Sequence, residues 1–211
     1  MKKIICAVVA VMMLFGAAAA EGVTTEMWEH EAGWEAFLLA VSRDELNEAW
    51  EASIATFGEQ IGLANVPVDM LKKMLLQGYS MESGVDGLKV EGNRFTGSDA
   101  EGNEVFAHEY AWADTMEDPD ILGGQKVHVF RTEEADAGAY AWLLMTEPMK
   151  TEGENAEYTT FNLYCTGMKD YRQLFNQGGS VAIPCTMIEK DTGTDGLRYA
   201  IEKLFSGTII R

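Results

Sequence analysis

The sequence predicts an α+β protein, mostly β: an antiparallel β-barrel with flanking N-terminal helices and a C-terminal helix. Three observations carry this. Apolar residues between Trp34 and Leu75 recur every three or four positions, the spacing of amphipathic helices. Past Gly78 the period drops to two, in short runs divided by turn-rich separators. Helical spacing returns at the end, from Leu197 to Phe205. With 211 residues, 47% hydrophobic and 10% aromatic, the chain can bury a core and is expected to form one domain.

The first 20 residues read as an address. Lys2 and Lys3 precede about a dozen apolar residues, and Ala17 to Ala20 supply the small residues of a cleavage site. The run is too short for a membrane span, which needs roughly 17–25 apolar residues. Cys6 lies inside the apolar run and not just after the cleavage site, so no lipid anchor is expected. The expected product is an exported protein cut after Ala20, one domain over residues 21–211, in an extracellular or periplasmic compartment. Two cysteines remain in it, Cys165 and Cys185. They permit one bridge, worth about 3 kcal/mol in the loop-entropy model, or two buried thiols. Both readings stay open; without a Cys-x-x-Cys motif, thiol redox catalysis has no support.

The first helix is expected to carry Trp34, Phe37, Leu38 and Val41 on one side. Ser42-Arg43-Asp44-Glu45 has the spacing of a capping box and leads into a stripe of Leu46, Ala49, Trp50, Ser53, Ile54 and Phe57. A break at Gly58–Gly62 ends it. Pro67 then opens a third helix with Met70, Leu71, Met74 and Leu75 on one stripe and Gly78 as its C-terminal glycine. That stripe accounts for the methionines more simply than a copper site does.

Strands are expected at Val85–Val90, Arg94–Thr96, Glu104–Ala111, Lys126–Arg131, Ala137–Met145, Tyr158–Cys165 and Val181–Met187. Glu91-Gly92-Asn93, the run Ser98 to Asn103 and the acidic turn Thr132–Asp136 divide them. Such spacing describes a meander that closes on itself. Asp191 to Gly196 reads as the turn into the last helix.

Charge excludes several functions. The chain has 34 acidic and 16 basic residues and a net charge of −18; loss of Lys2 and Lys3 would make it −20. Nucleic acid and anionic lipid both demand Lys and Arg, so neither is an expected partner, and no stable membrane anchor is expected. No nucleophile elbow, phosphate loop or dinucleotide fingerprint occurs, and no enzyme is expected. Asp114, Glu117, Asp118 and Asp120 read as a solvated acidic loop without the spacing of an EF-hand. Of the three histidines, His30 is expected on a solvated face. His108 and His128 fall in strands, where they are candidate ligands if those strands are neighbours.

Several stretches in order resemble the ZinT (YodA) family of exported, calycin-like zinc-binding proteins. Gly33-Trp34, Asp44-Glu45-Leu46 and Trp50 are similar to its opening tryptophan and second short helix. Gln77-Gly78-Tyr79-Ser80, running into Val85–Val90 and Arg94-Phe95, resembles its turn into the first barrel hairpin. Ala139-Tyr140 through Thr146-Glu147, Tyr158 through Tyr164, and Tyr171 through Phe175 resemble its metal-bearing strands and the helix after them. Together they cover most of residues 28–186. The resemblance implies a lipocalin-like barrel that holds zinc at its open end and captures it outside the cytoplasm for an uptake system. Its ligand pattern departs here. Glu147 stands at the first histidine, and Thr160 and Asn162 at the His-x-His pair. That leaves Glu147, with His108 or His128, as the ligands implied for zinc.

The leading expectation is therefore an exported binding protein for a divalent cation such as zinc. Two alternatives stand beside it. One is a small organic ligand inside the barrel, against walls drawn from Tyr140, Trp142, Phe161 and Tyr164. The other is an interaction module that holds no small ligand.

Overall fold

The computed structural model describes residues 23–78, 84–117, 124–175 and 183–209, so the expected leader lies outside the described residues. Ten strands follow in chain order: β1 (Trp34–Ala36), β2 (Gly87–Glu91), β3 (Arg94–Ser98), β4 (Glu104–Glu109), β5 (Ala111–Glu117), β6 (Lys126–Arg131), β7 (Trp142–Thr146), β8 (Met149–Glu152), β9 (Glu157–Thr166) and β10 (Cys185–Glu189). They form one sheet in the order β4-β3-β2-β1-β10-β9-β7-β6-β5, with β8 paired to β9. All these pairings are antiparallel.

The two edge strands, β4 and β5, are consecutive in the chain with only Tyr110 between them. The sheet must therefore roll until its edges meet, and the result is a nearly closed barrel. Tyr110 makes the corner. Its amide donates to the Asn93 carbonyl at 2.8 Å, its hydroxyl to the Tyr140 carbonyl at 2.6 Å, and its ring packs edge-on against Phe95.

Alternation sorts the strand residues into two faces. The inner face carries Trp34, Val90, Phe95, Phe106, Phe130, Met145, Phe161 and Met187, which fill the barrel. The aromatic and apolar side chains expected as walls for an organic ligand thus divide: Phe161 lies in this core, whereas Trp142 and Tyr164 belong to an outer cluster. Outside, Val127, Val129, Leu144 and Tyr164 are covered by a 3-10 turn over Tyr171–Phe175. Ile188 and Tyr158 are covered by the helices. β6 is buried on both faces, which is why Val127 to Phe130 reads as a nearly continuous apolar run.

Among the described residues, four helices form a layer on one side of the barrel: α1 (Phe37–Val41), α2 (Asn47–Phe57), α3 (Val68–Gly78) and α4 (Thr194–Ile209). α2 and α4 meet through Trp50 and Phe205, edge to face at 5.5 Å. Three indoles are buried with their N–H groups satisfied by carbonyls: Trp28 on Thr146 (2.9 Å), Trp34 on Trp28 (2.7 Å) and Trp50 on Val41 (2.7 Å). Burying a tryptophan without such a partner would strand a polar group in the core.

Four local expectations need correction. Trp34 belongs to β1, because Gly33 turns the chain with φ +74° and sends the indole into the barrel. The capping box does not form; Asp44–Leu46 is a 3-10 turn without a side-chain cap, and Arg43 instead clasps Glu35 at 2.6 Å. On α3, Met70 and Met74 are 56% and 51% exposed, while Leu71 and Lys72 face inward. Finally, Asp114 and Glu117 lie in β5 and not in a loop, while Asp118 and Asp120 fall outside the described residues.

Candidate metal centre

His108 sits on β4 opposite Phe95 of β3, with Phe106 two residues before it on the same face. It is only 7% exposed. The Phe106 ring stacks beside it and Tyr110 meets it edge-on. Its Nδ1 lies 3.0 Å from Glu134 Oε2. Glu134 stands in the connection from β6 to β7, which Thr132 folds back in two ways. The Thr132 amide donates to the Ala141 carbonyl at 3.1 Å, and its hydroxyl accepts the Glu134 amide at 3.2 Å.

The other Glu134 oxygen accepts the Glu109 amide of β4 at 2.8 Å. That amide first, and His108 second, hold the Glu134 carboxyl below the usual carboxylate range. Asp136 completes the group. One donor atom from each of His108, Glu134 and Asp136 lies within 4.8 Å of the others, with the histidine buried and both acids exposed. An imidazole and two carboxylates are donors that zinc accepts. Tetrahedral bonds of about 2.0–2.1 Å would place ligand atoms about 3.3 Å apart, close to the observed His108–Glu134 spacing.

His128 sits on β6 with its ring toward the barrel interior and is 4% exposed. Its Nδ1 lies 3.1 Å from the Thr115 hydroxyl on the paired strand β5, and its Nε2 lies 3.2 Å from Glu147 Oε1. The same hydroxyl accepts the Trp112 indole N–H at 3.2 Å. The network is satisfied when Thr115 donates its proton to Nδ1, which puts the imidazole proton on Nε2, facing Glu147. Trp28 covers the ring edge-on at 5.4 Å.

The fold thus divides the expected ligands. It brings His128 and Glu147 together and draws His108 to Glu134 and Asp136. β4 and β6 are not neighbours, since β5 and the barrel seam lie between them. Glu134 and Glu147 also stand in connections that leave β7 at opposite ends. Thr160 and Asn162 join neither group. Phe161 between them points inward, so both lie on the outer face of β9, where Asn162 Oδ1 accepts the Thr186 hydroxyl at 2.9 Å.

The remaining candidates resolve differently. His30 is half-buried and only partly solvated; it packs on Trp34, with Nε2 3.6 Å from Asp191 and 3.9 Å from Glu189. Asp114 binds the Tyr171 hydroxyl and Arg172. Both cysteines are free thiols, and burial pushes Cys185 up to about 12. Glu134 and Asp136 were visible in the sequence only as an acidic turn. Their meeting with His108, 26 residues before Glu134, depends on barrel closure.

No family model matches the chain, and no curated protein matches its sequence. Among solved structures, the fold is similar to the Zn(II)-bound ZinT-like domain of Streptococcus pneumoniae AdcA, with a TM-score of 0.53 and 13% identity over 88% of this chain and 93% of that domain. It is equally similar to Zn(II)-bound AdcA itself, with a TM-score of 0.53 and 13% identity over 90% of this chain. The chain spans only 36% of AdcA's length. The likeness is one of fold: a calycin-like α+β barrel of the ZinT-like type, as the order of the sequence stretches implies.

Proposed function

We propose that this protein is an exported, single-domain divalent-cation binder of ZinT-like fold, and that it takes a zinc-class ion at His108, Glu134 and Asp136. The observation that carries the reading is the convergence of these three donors from β4 and the β6–β7 connection. The buried imidazole is braced between Phe106 and Tyr110, so one ligand is already oriented before metal arrives. Two exposed carboxylates face solvent, which gives the ion an entry path and leaves a fourth position for water. The zinc held in the structures of AdcA and of its ZinT-like domain supports the choice of ion. The ion is cargo in this reading, and no catalysis is assigned to it. No helix among the described residues is long and apolar enough to cross a membrane.

A second position is favoured by the resemblance. Glu147 stands where the family has its first histidine, and His128 joins it at 3.2 Å. Two donors are one short of a zinc set.

Zinc titration into chelator-treated protein separates the two positions. One equivalent should bind saturably, Asp136→Asn should weaken it at least tenfold, and Glu147→Gln should leave it unchanged. Loss of binding in Glu147→Gln alone would move the site to His128.

A further inference from the structure

A further feature with the dimensions of a binding site lies outside the barrel. A groove of about 700 Å³ runs between the outer wall of the sheet at β9 and β10 and the helices α1, α3 and α4. Small-molecule sites span roughly 300–1,000 Å³. Phe37 and Leu39 from α1, Leu75 and Leu76 from α3, and Ala200 and Leu204 from α4 make its walls apolar.

Polar groups enter from the sheet side. Thr160 and Thr186 contribute hydroxyls, and Asp86, just before β2, contributes a carboxylate. Asp86 is half-buried and accepts a hydrogen bond from the Ala100 amide. Burial raises its carboxyl above the ordinary value, and the charges of Asp99 and Glu101 add to that. Lys203 also borders the groove, but its Nζ lies over the Tyr199 ring, 5.1 Å from the centroid.

We propose that this groove binds a small apolar amine, its hydrocarbon body against α1, α3 and α4 and its ammonium on the Asp86 carboxylate. The chemistry selects among apolar ligands by their heads. An ionised carboxylate only accepts hydrogen bonds, so it calls for a donor. Its low-dielectric wall and two acidic neighbours favour a cation over a neutral donor. A fatty carboxylate would place two anions together, and an alcohol would satisfy the hydrogen bond without the charge. The groove shares no lining residue with the His108 cluster, so this proposal stands independently of metal binding.

The test is calorimetric titration of the full chain, in chelator, with n-octylamine, 1-octanol and octanoate, which share one hydrocarbon body. Octylamine should bind one-to-one, at least tenfold more tightly than octanol, with octanoate weakest. Asp86→Asn should erase the amine preference while octanol still binds. Leu76→Trp, at a half-buried position on the groove wall, should weaken all three ligands with a cooperative melt retained. Absent saturable octylamine binding, or an amine preference that survives Asp86→Asn, would overturn the proposal. So would a dimer dissociated by Leu76→Trp in a protein that ignores octylamine, because the groove's occupant would then be a second copy.

Discussion

Lys72 is 6% exposed, and its Nζ reaches the carbonyls of Ser42 (3.0 Å) and Arg43 (3.2 Å) and the amide oxygen of Asn47 (2.5 Å). Ser42 caps the C-terminal end of α1, where a helix leaves acceptors to satisfy, and the Arg43 carbonyl also accepts the Leu46 amide at 3.1 Å. A buried ammonium is costly alone, and these three oxygens offset that cost. Lys72→Met should therefore lower the unfolding free energy by about 1–3 kcal/mol, since it takes the donor from the Ser42 carbonyl and the Asn47 amide oxygen. Met74→Gln, on the exposed side of the same helix, should change it by less than about 0.5 kcal/mol. Urea unfolding checks both, and equal effects would contradict the assignment of faces. The stripe of Met70 and Met74 misleads because hydropathy counts Lys72 as solvent-facing, whereas its long stem and its three acceptors pull it inside. Asp114 gives a pH test at the same scale. The Tyr171 hydroxyl first, and Arg172 further on, hold its carboxyl below the ordinary value of 3.8. A depressed carboxyl contributes stability that is present above its unfolded value and lost as pH falls through the folded one. Asp114→Asn should therefore lower the urea midpoint at pH 7 and have little effect near pH 2. The same loss at both pH values would mean that the charge contributes nothing.

Among the elements, the β3–β4 hairpin depends on one small residue. Gly97 faces Phe106, and a Cβ at position 97 would overlap the Phe106 ring. Gly97→Ala should cost about 1–3 kcal/mol through overpacking, read as a lower urea midpoint; an unchanged midpoint would mean the ring moves aside freely. Strands with both faces buried or with clean alternation are legible in sequence, and Lys126–Arg131 is expected and found with the same bounds. β5 is not legible, because a register shift between Trp112 and Asp114 breaks the alternation and its acids meet Tyr171, Arg172 and Lys126 across the surface. β8 is Met-Lys-Thr-Glu, paired with β9 alone. Its place comes from backbone pairing, which no hydropathy pattern records. Trp34 fails for the opposite reason: its apolar spacing continues into α1, which follows β1 directly at Phe37, and the left-handed Gly33 that turns the chain lies just before the strand.

For the molecule as a whole, the barrel was legible because its period-two runs recur with turn residues between them. The site was legible only in its residue types. His108 was identifiable as a strand histidine, but its partners depend on which strands meet when the sheet closes, and no local pattern encodes that. Closure at Tyr110 brings Glu109 and His108 against the β6–β7 connection, and Glu134 bonds to both. An acidic surface also gathers cations loosely, so stoichiometry and residue dependence must carry the test. A one-site ligand at a hundredfold excess over its dissociation constant stabilises by about 2.7 kcal/mol. The decisive measurement is calorimetric zinc titration of chelator-treated wild type, His108→Ala and Asp136→Asn, with melting curves confirming that each is folded. One saturable equivalent in the wild type, lost in His108→Ala and weakened at least tenfold in Asp136→Asn, is the expected result. Weak, unsaturable uptake in all three, or a full equivalent retained by His108→Ala, would contradict the account.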